Sequence, residues 1–420
     1  MVTLTYGQLL RGNRSFRNLL AGQVISELGN WFNFIAGLGL VRVVSDASPL
    51  AAGIFFVCRL LPFAFASPIA GTFVDRFSRR TVMLATDVAR AGVALMFLLV
   101  TSPENLWIAY LATVLLSVFG AFFEGAKNAS TPNLTGKEGL LAGTALMFST
   151  RFLLMAVGSA LGGWAAAIFG YQAAFLINAA SFLVSAYTVW LIPEEATRDN
   201  DTGERMAGRK TREPFFKEMR EGLRYTTTNH FAATILIMNV IWATGGGAVN
   251  IIFERAGGIY FAEREHWNPD LAVAVLWTAS GIGLTLGMLI AHRTSIHLDR
   301  GGNNRAFIGW TLIAHGIIFS FAGIVPVLWL FALLTFVSRA IVGVEYAIQE
   351  TLFQRSLPDH IRGRISTLDR GAELTMFGLS SYFASEAMYY ISPMTLTVIS
   401  GVLSASSGVV WFWRSRPRLR

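Results

Sequence analysis

The segment GTFVDRFSRR, residues 71–80, separates two long apolar stretches of this chain. Its charged side chains are Asp75, Arg76, Arg79 and Arg80, and the apolar stretch on either side is long enough to cross a bilayer. Because so many charges are too costly to place in hydrocarbon, the segment is predicted to be a tight loop between two membrane spans. The loop therefore marks one face of a membrane and sets the order of the spans around it.

The composition is that of a membrane protein. Of the 420 residues, 53% are hydrophobic and 14% are charged, whereas ordinary soluble domains are about 25% charged. The mean hydropathy of the whole chain is +0.51. At about 20 apolar residues per span, the length allows about a dozen spans with their loops. The single cysteine, Cys58, excludes a disulfide framework within the chain and a multi-cysteine zinc site.

Twelve apolar segments are predicted to span the membrane, six on each side of a polar stretch at 193–214. The first six lie at about 18–44, 49–74, 81–101, 105–128, 139–168 and 171–192, and the second six at about 231–253, 270–291, 305–325, 327–350, 365–390 and 394–413. The expected domains are an N-terminal half at 1–192, a cytoplasmic linker at 193–229 and a C-terminal half at 230–420. Within the linker, FFKEMREGLRY at 215–225 has the spacing of an amphipathic surface helix. The polar stretches at 131–139 and 254–270 are expected to be loops.

The distribution of Lys and Arg predicts the orientation of the chain. Of the Lys and Arg residues in the predicted loops and tails, nearly all lie on one side, and the other side holds only Arg42, Arg255 and Arg264. Both termini are therefore predicted to be cytoplasmic, in a multi-pass protein of the cell (inner) membrane. The same rule explains the net charge of +8, which in a soluble protein would suggest a nucleic-acid partner. No nucleic-acid partner is expected here.

The two predicted halves share sequence features. Gly120 and Gly343 each lie near the end of an apolar span, and the polar stretches after them, NLTG at 133–136 and SLPD at 356–359, follow at the same separation. GTFVDR at the start of the charged loop has a weaker counterpart in GMLIAH at 287–292, without the Asp and Arg. Repeated halves around a central cavity are a transporter architecture.

These motifs resemble the major facilitator superfamily of transporters. Its signature loop is a Gly, three residues, Asp-Arg, two residues and two basic residues, and Gly71, Asp75, Arg76, Arg79 and Arg80 match it. The stretches at 122–147, 177–186 and 354–366 resemble the branch of macrolide and siderophore exporters. The resemblance implies an all-α membrane protein with twelve transmembrane helices in two pseudo-symmetric six-helix halves. It also implies a secondary transporter that exports a small amphiphilic compound by proton-coupled alternating access.

Two departures from the family pattern leave other functions open. The span-five antiporter motif lacks its proline and reads GSALGG, where Gly158, Gly162 and Gly163 are expected to pack helices closely. The arginine that many drug antiporters carry in span four is absent, and Glu124 lies in that region. A lysophospholipid or lipid flippase on the same fold, or a non-transporting membrane receptor or scaffold, therefore remains an alternative.

Five ionisable residues are predicted near the middle of the membrane, where a charge costs several kcal/mol unless it is paired or wetted. They are the candidates for substrate binding or proton coupling: Glu27, Arg59, Arg151, Arg339 and Glu373. We expect Glu27 to pair with Arg59 or Arg151, and Arg339 to pair with Glu373. The alternative role for each pair is a permanent ion pair that ties helices together.

The charged loop is expected to gate transport through ion pairs that form in one state and break in the other. For Arg79 and Arg80, an equally weighted alternative is that they only keep this loop on the cytoplasmic side, as the positive-inside rule describes. Asp87, Arg90 and Glu124 are expected to form a structural charge network with this loop.

No phosphate loop, nucleotide fingerprint or metal-ligand cluster occurs in the sequence, so no cofactor, metal or enzymatic activity is expected. Without a site for ATP, an ion gradient is the remaining source of energy. The expected partners are a small-molecule substrate, a proton or other coupling ion and the lipid bilayer, and the expected state is a monomer.

Overall fold

The computed structural model describes residues 4–74, 76–197, 215–301 and 303–415, and the regular secondary structure in those ranges is helical. The helices up to residue 197 are α1 (Tyr6–Gly12), α2 (Arg14–Val44), α3 (Pro49–Val74), α4 (Arg79–Leu95), α5 (Leu106–Trp190) and α6 (Glu194–Thr197). Those from residue 215 on are α7 (Phe215–Thr228), α8 (His230–Arg255), α9 (Ala262–Glu265), α10 (Pro269–Gly301), α11 (Asn304–Ala322), α12 (Leu328–Ser356), α13 (Asp359–Ala387) and α14 (Pro393–Arg414).

Ten helices in the described part of the chain are long and apolar enough to cross a membrane. One of them, Glu138–Trp190, is 53 residues long, which is enough for two crossings at 1.5 Å per residue. It is interrupted at Gly170, whose φ of 78° is in the left-handed region that favours glycine. The charged helix α13 is not among the ten. The predicted count of twelve spans fits this arrangement.

The predicted polar loop at 131–139 is wrong, because these residues continue the helix α5 as far as a break at Gly136. The hydroxyl groups of Thr131 and Thr135 donate to the carbonyl groups four residues earlier, both at 2.9 Å. These polar side chains are thus satisfied within the helix and give it no reason to end. Only Gly136, with a φ of 65°, leaves helical geometry.

The predicted outer loop at 254–270 is also mostly helical. After α8 the chain makes one π-helical turn, Ala256–Phe261, and then α9, so that only a short connection remains before Pro269. Within the π-helical turn, a Cβ atom on Gly257 would lie 2.8 Å from the backbone nitrogen of Val273. Glycine therefore lets this turn pack directly against α10, which sequence polarity alone does not reveal.

The chain forms two compact units. The first comprises residues 1–40 and 62–215, and the second comprises residues 41–61 and 216–420. The boundary runs through α2 and α3, so the residues around the connection between these helices belong to the second unit. Of the predicted linker, residues 198–214 lie outside the described residues.

Close helix packing in the first unit depends on small residues. A Cβ atom on Gly158 would lie 2.7 Å from the Cβ atom of Trp31, and one on Gly162 would lie 3.1 Å from the Phe32 backbone. The structure thus places two of the three glycines of the GSALGG motif against α2, and the third, Gly163, is buried. Such contacts bring helix backbones close together in membrane proteins.

In the second unit, α8 packs against α13 and α14, α10 packs against α12, and α11 packs against both α12 and α14. Glycine again allows close approach, since a Cβ atom on Gly287 would lie 2.1 Å from the carbonyl oxygen of Ala340. The predicted amphipathic segment forms α7, and its Glu221 accepts a hydrogen bond from Arg364 of α13. The second unit therefore includes the helix that leads into α8.

Candidate functional site

The arginines of the signature loop bind backbone carbonyl groups in the first unit. Arg79 Nη1 donates to the carbonyl oxygens of Ala129 at 2.9 Å and Thr197 at 3.3 Å. Arg80 Nη2 donates to the carbonyl oxygen of Trp190, the last residue of α5, at 2.6 Å. A basic side chain at a helix C-terminus satisfies carbonyl groups that have no partner within the helix. Arg80 thus ties the start of α4 to the end of α5, and Arg79 ties it to the middle of α5 and the end of α6.

The other members of the signature motif make no such contacts in the described structure. Gly71 is exposed, and a Cβ atom added to it would meet nothing within 4 Å. Arg76 is exposed in the turn between α3 and α4. Asp75 lies outside the described residues, so its predicted gating role remains a prediction.

A buried ion pair lies at the middle of α4. Asp87 is fully buried and binds Arg90, one helical turn later. The guanidinium carbon of Arg90 lies 4.3 Å from the centre of the Phe123 ring and 4.4 Å from that of Phe182. The guanidinium group is therefore held between two aromatic faces of α5, a geometry that stabilises a buried cation.

Glu124, the third member of the predicted network, binds Lys127 of its own helix, with 2.6 Å between Lys127 Nζ and Glu124 Oε1. Arg90 and Arg151 are close enough to act on this carboxylate electrostatically. The structure thus brings Asp87, Arg90 and Glu124 into one region, together with Lys127 and Arg151.

Two of the candidate coupling residues lie in the first unit and are accessible at their surfaces. Glu27, in the middle of α2, is half-buried and accepts a hydrogen bond from Asn30 Nδ2 at 3.3 Å. Arg151 is exposed. The predicted ion pair between Glu27 and Arg151 does not form among the described residues of this unit. Arg59, half-buried on α3, belongs to the second unit.

The predicted pairing of Glu373 with Arg339 is wrong. Glu373 of α13 instead binds Arg370, one turn earlier on the same helix, at 2.8 Å. Arg339 of α12 is buried, and its guanidinium carbon lies 5.7 Å from the centre of the Phe319 ring. Arg339 and Glu373 do not meet because each helix, α12 and α13, is oriented about its axis so that these side chains contact different neighbours.

Glu373 is part of a buried polar cluster that the sequence analysis did not identify. Asn239 Nδ2 donates to both carboxylate oxygens of Asp369, at 3.1 and 3.0 Å, and Gln349 Nε2 donates to Asn239 Oδ1 at 2.9 Å. A cavity beside this cluster is lined by Glu373, Asn239, Gln349 and also Glu345. Asp369 and Glu373 lie four residues apart, on one face of α13, and this spacing is the sequence signal that could have indicated a shared site.

A second buried charge cluster lies where α2 ends. Arg42 binds Glu254 of α8 at 3.3 Å and also binds Asp270 of α10. All three residues are buried in the second unit. The sequence indicates only that Arg42 lies in an outer loop, because the two acids that it binds are more than 200 residues later in the chain.

The residues around Arg42 also line an open cleft of about 390 Å³. Asp46 and Ala47, in the connection before α3, have φ values of 52° and 55°, which are unusual for residues other than glycine. Arg255 donates a hydrogen bond to the Ala47 carbonyl oxygen. A side chain of the second unit thus binds a connection whose backbone conformation is strained.

Comparison with known proteins identifies the family to which this chain belongs. A sequence profile of the Major Facilitator Superfamily matches residues 19–372. The chain belongs to this superfamily. The earlier resemblance and the all-helical membrane fold are thereby confirmed.

Relatives and solved structures within the superfamily agree with this assignment. The chain is 24% identical over 371 residues to macrolide efflux protein A of Streptococcus pyogenes, covering 84% of each protein. It is 28% identical over 188 residues to the MFS-type transporter YfiS of Bacillus subtilis, covering 45% of this chain and 44% of that protein. The crystal structure of the nucleoside transporter NupG is similar in fold, with a TM-score of 0.70 and 14% identity over 96% of this chain and 100% of NupG.

Proposed function

We propose that this protein is a secondary active transporter that exports a small amphiphilic compound by alternating access, driven by the proton gradient. The main support for this proposal is that long apolar helices of the first unit contain ionisable side chains that are accessible. Glu27 and Glu124 are half-buried, and Arg151 is exposed. Because charged groups are excluded from the lipid face of a membrane helix, such accessible groups are expected to face a water-filled passage.

The export direction and the class of substrate rest on similarity. Macrolide efflux protein A aligns with most of this chain, so an amphiphilic drug-like molecule is the first substrate to test. Carboxyl groups at membrane depth supply sites where a proton can bind in one state and leave in the other. A membrane passage with protonatable groups suits antiport of a proton against an amphiphile.

The proposal is tested by accumulation of labelled erythromycin and of ethidium in cells that lack their own major efflux pumps. Expression of the wild-type protein should lower the accumulation of at least one of these compounds, and an uncoupler should remove the difference. The matched control is Asp75→Asn in the signature loop, which should reach the membrane at wild-type levels but transport poorly. Equal accumulation with and without the protein, or efflux that persists in the presence of the uncoupler, would contradict the proposal.

A further inference from the structure

A small cavity in the second unit contains a buried carboxyl group with an oxygen that has no partner. Glu345 of α12 is 3% exposed, and its Oε1 makes no hydrogen bond with any described residue. Trp242, on α8, lines the same cavity, and its indole Nε1 is likewise buried without a hydrogen-bond acceptor. The space open to the centre of a water molecule is about 10 Å³, which is close to the minimum that holds one water.

The surroundings of Glu345 contain more acids than bases. Glu373 lines the cavity and is already paired with Arg370. Nearby ionisable groups on these helices include Asp369 of α13, Tyr346, Glu350 and the buried Arg339 of α12, and His315 of α11. Helix α8 contributes Asn239 and Trp242 to the lining. None of these groups forms an ion pair with Glu345 among the described residues.

An ionised Glu345 in this position would be an uncompensated buried charge. Such a charge costs several kcal/mol, whereas a neutral carboxyl group needs only hydrogen-bond partners. A bound proton or a bound cation would each neutralise Glu345. The group is therefore suited to bind one positive charge and to release it when its surroundings change.

The lining favours a proton over a metal ion. A hard metal cation requires a shell of several oxygen ligands, but Glu373 is already paired with Arg370 and Asn239 Oδ1 already accepts from Gln349. Trp242, which also lines the cavity, has an indole N–H group that is buried without an acceptor. A water molecule can accept a hydrogen bond from that N–H group and donate to the Glu345 carboxyl group. The cavity has room for about one such water molecule.

We propose that Glu345 is a proton-binding residue of this transporter and that it exchanges its proton through a single water in this cavity. On release, the carboxyl O–H bond breaks and an O–H bond of hydronium forms on the water, with no change in oxidation state. The Trp242 N–H group, which has no acceptor in the structure, is then available to donate to the carboxylate. Only the use of the proton to drive export rests on the proposed function, because proton binding at Glu345 is a property of the site itself.

Infrared difference spectroscopy of the purified full-length protein in detergent tests the assignment directly. Moving the wild-type protein from alkaline to mildly acidic buffer should add a carbonyl band of protonated carboxyl groups. Glu345→Gln, which keeps the shape of the side chain, should lose one carboxyl group's share of that band. Glu138→Gln, at an exposed position, is the matched control and should retain the component assigned to Glu345.

Two further measurements separate this proposal from the proposed function. The spectra are repeated with NaCl replaced by choline chloride; a Glu345 component that depends on sodium would overturn the proton assignment. A difference spectrum of Glu345→Gln identical to that of the wild type would also overturn it, whether or not export is observed.

In proteoliposomes, Glu345→Gln should abolish erythromycin accumulation driven by a pH gradient while retaining exchange of labelled for unlabelled erythromycin. Wild-type liposomes that show no such accumulation, together with the expected spectra, would contradict the proposed function alone.

Discussion

Replacement of Arg42 by methionine is predicted to destabilise the second unit strongly. Arg42 is 8% exposed, and its two acidic partners, Glu254 and Asp270, are 1% and 6% exposed. In addition, Glu254 Oε2 is buried without a hydrogen-bond partner even in the wild-type protein. Removal of the guanidinium group would leave two buried carboxylates without the cation that they share. Breaking a buried ion pair from one side costs about 3–5 kcal/mol.

This cost can be measured as a change in melting temperature. For a folding unit of about 200 residues, 1 kcal/mol corresponds to about 2–4 °C, so the expected decrease for Arg42→Met is about 6–20 °C. Thermal unfolding of the detergent-purified protein, followed by size-exclusion chromatography with fluorescence detection, measures the decrease. The control is Arg264→Met, because Arg264 is exposed and its replacement should change the melting temperature little.

The triple variant Arg42→Met, Glu254→Gln, Asp270→Asn distinguishes a charge effect from lost packing. It removes all three charges and keeps side chains of similar size, so most of the lost stability should return. An Arg42→Met protein as stable as the wild type would refute the reasoning. A triple variant no more stable than the single one would show that packing, and not uncompensated charge, is responsible.

Three further substitutions, with Gly71→Ala as a control, test close contacts within the two units. A Cβ atom on Gly258 would lie 2.3 Å from Arg42 Nη1, so Gly258→Ala should lower the melting temperature in the wild type but little further in Arg42→Met; equal decreases in both backgrounds would contradict the contact. Gly287→Ala should cost about 1–3 kcal/mol by overpacking against α12, whereas Gly71→Ala, at the matching position of the similar motif, should not lower the melting temperature because its Cβ has open space. Arg90→Lys should cost about 1–2 kcal/mol, since an ammonium group cannot lie flat between two phenylalanine rings; unchanged thermal stability would argue against that stacking.

Features that depend on neighbouring residues along the chain could be predicted from the sequence. Hydropathy located the membrane helices, because each apolar segment must individually satisfy its backbone in lipid. The break at Gly170 lies between the segments predicted at 139–168 and 171–192. The two loop predictions at 131–139 and 254–270 failed, because polar residues can continue a helix when their side chains bind the preceding turn or another helix.

Which residues come together in the candidate site depends on tertiary contacts, and these cannot be inferred from the separation of residues along the chain. Glu373 and Arg339 are both buried ionisable residues, but Glu373 pairs with Arg370. Glu345 was overlooked because it lies near the end of a predicted span, and only packing shows that one of its carboxyl oxygens is buried without a partner.

The sequence by itself determined that this chain is a helical membrane protein of a transporter family, since hydropathy, loop charge and the signature motif are local properties. The tertiary structure alone decided which charges meet, because the rotation and packing of each helix select one face for each neighbour. Gly71 and Gly287 illustrate the difference: they begin similar motifs, yet the first is exposed and the second is pressed against a backbone carbonyl group of α12.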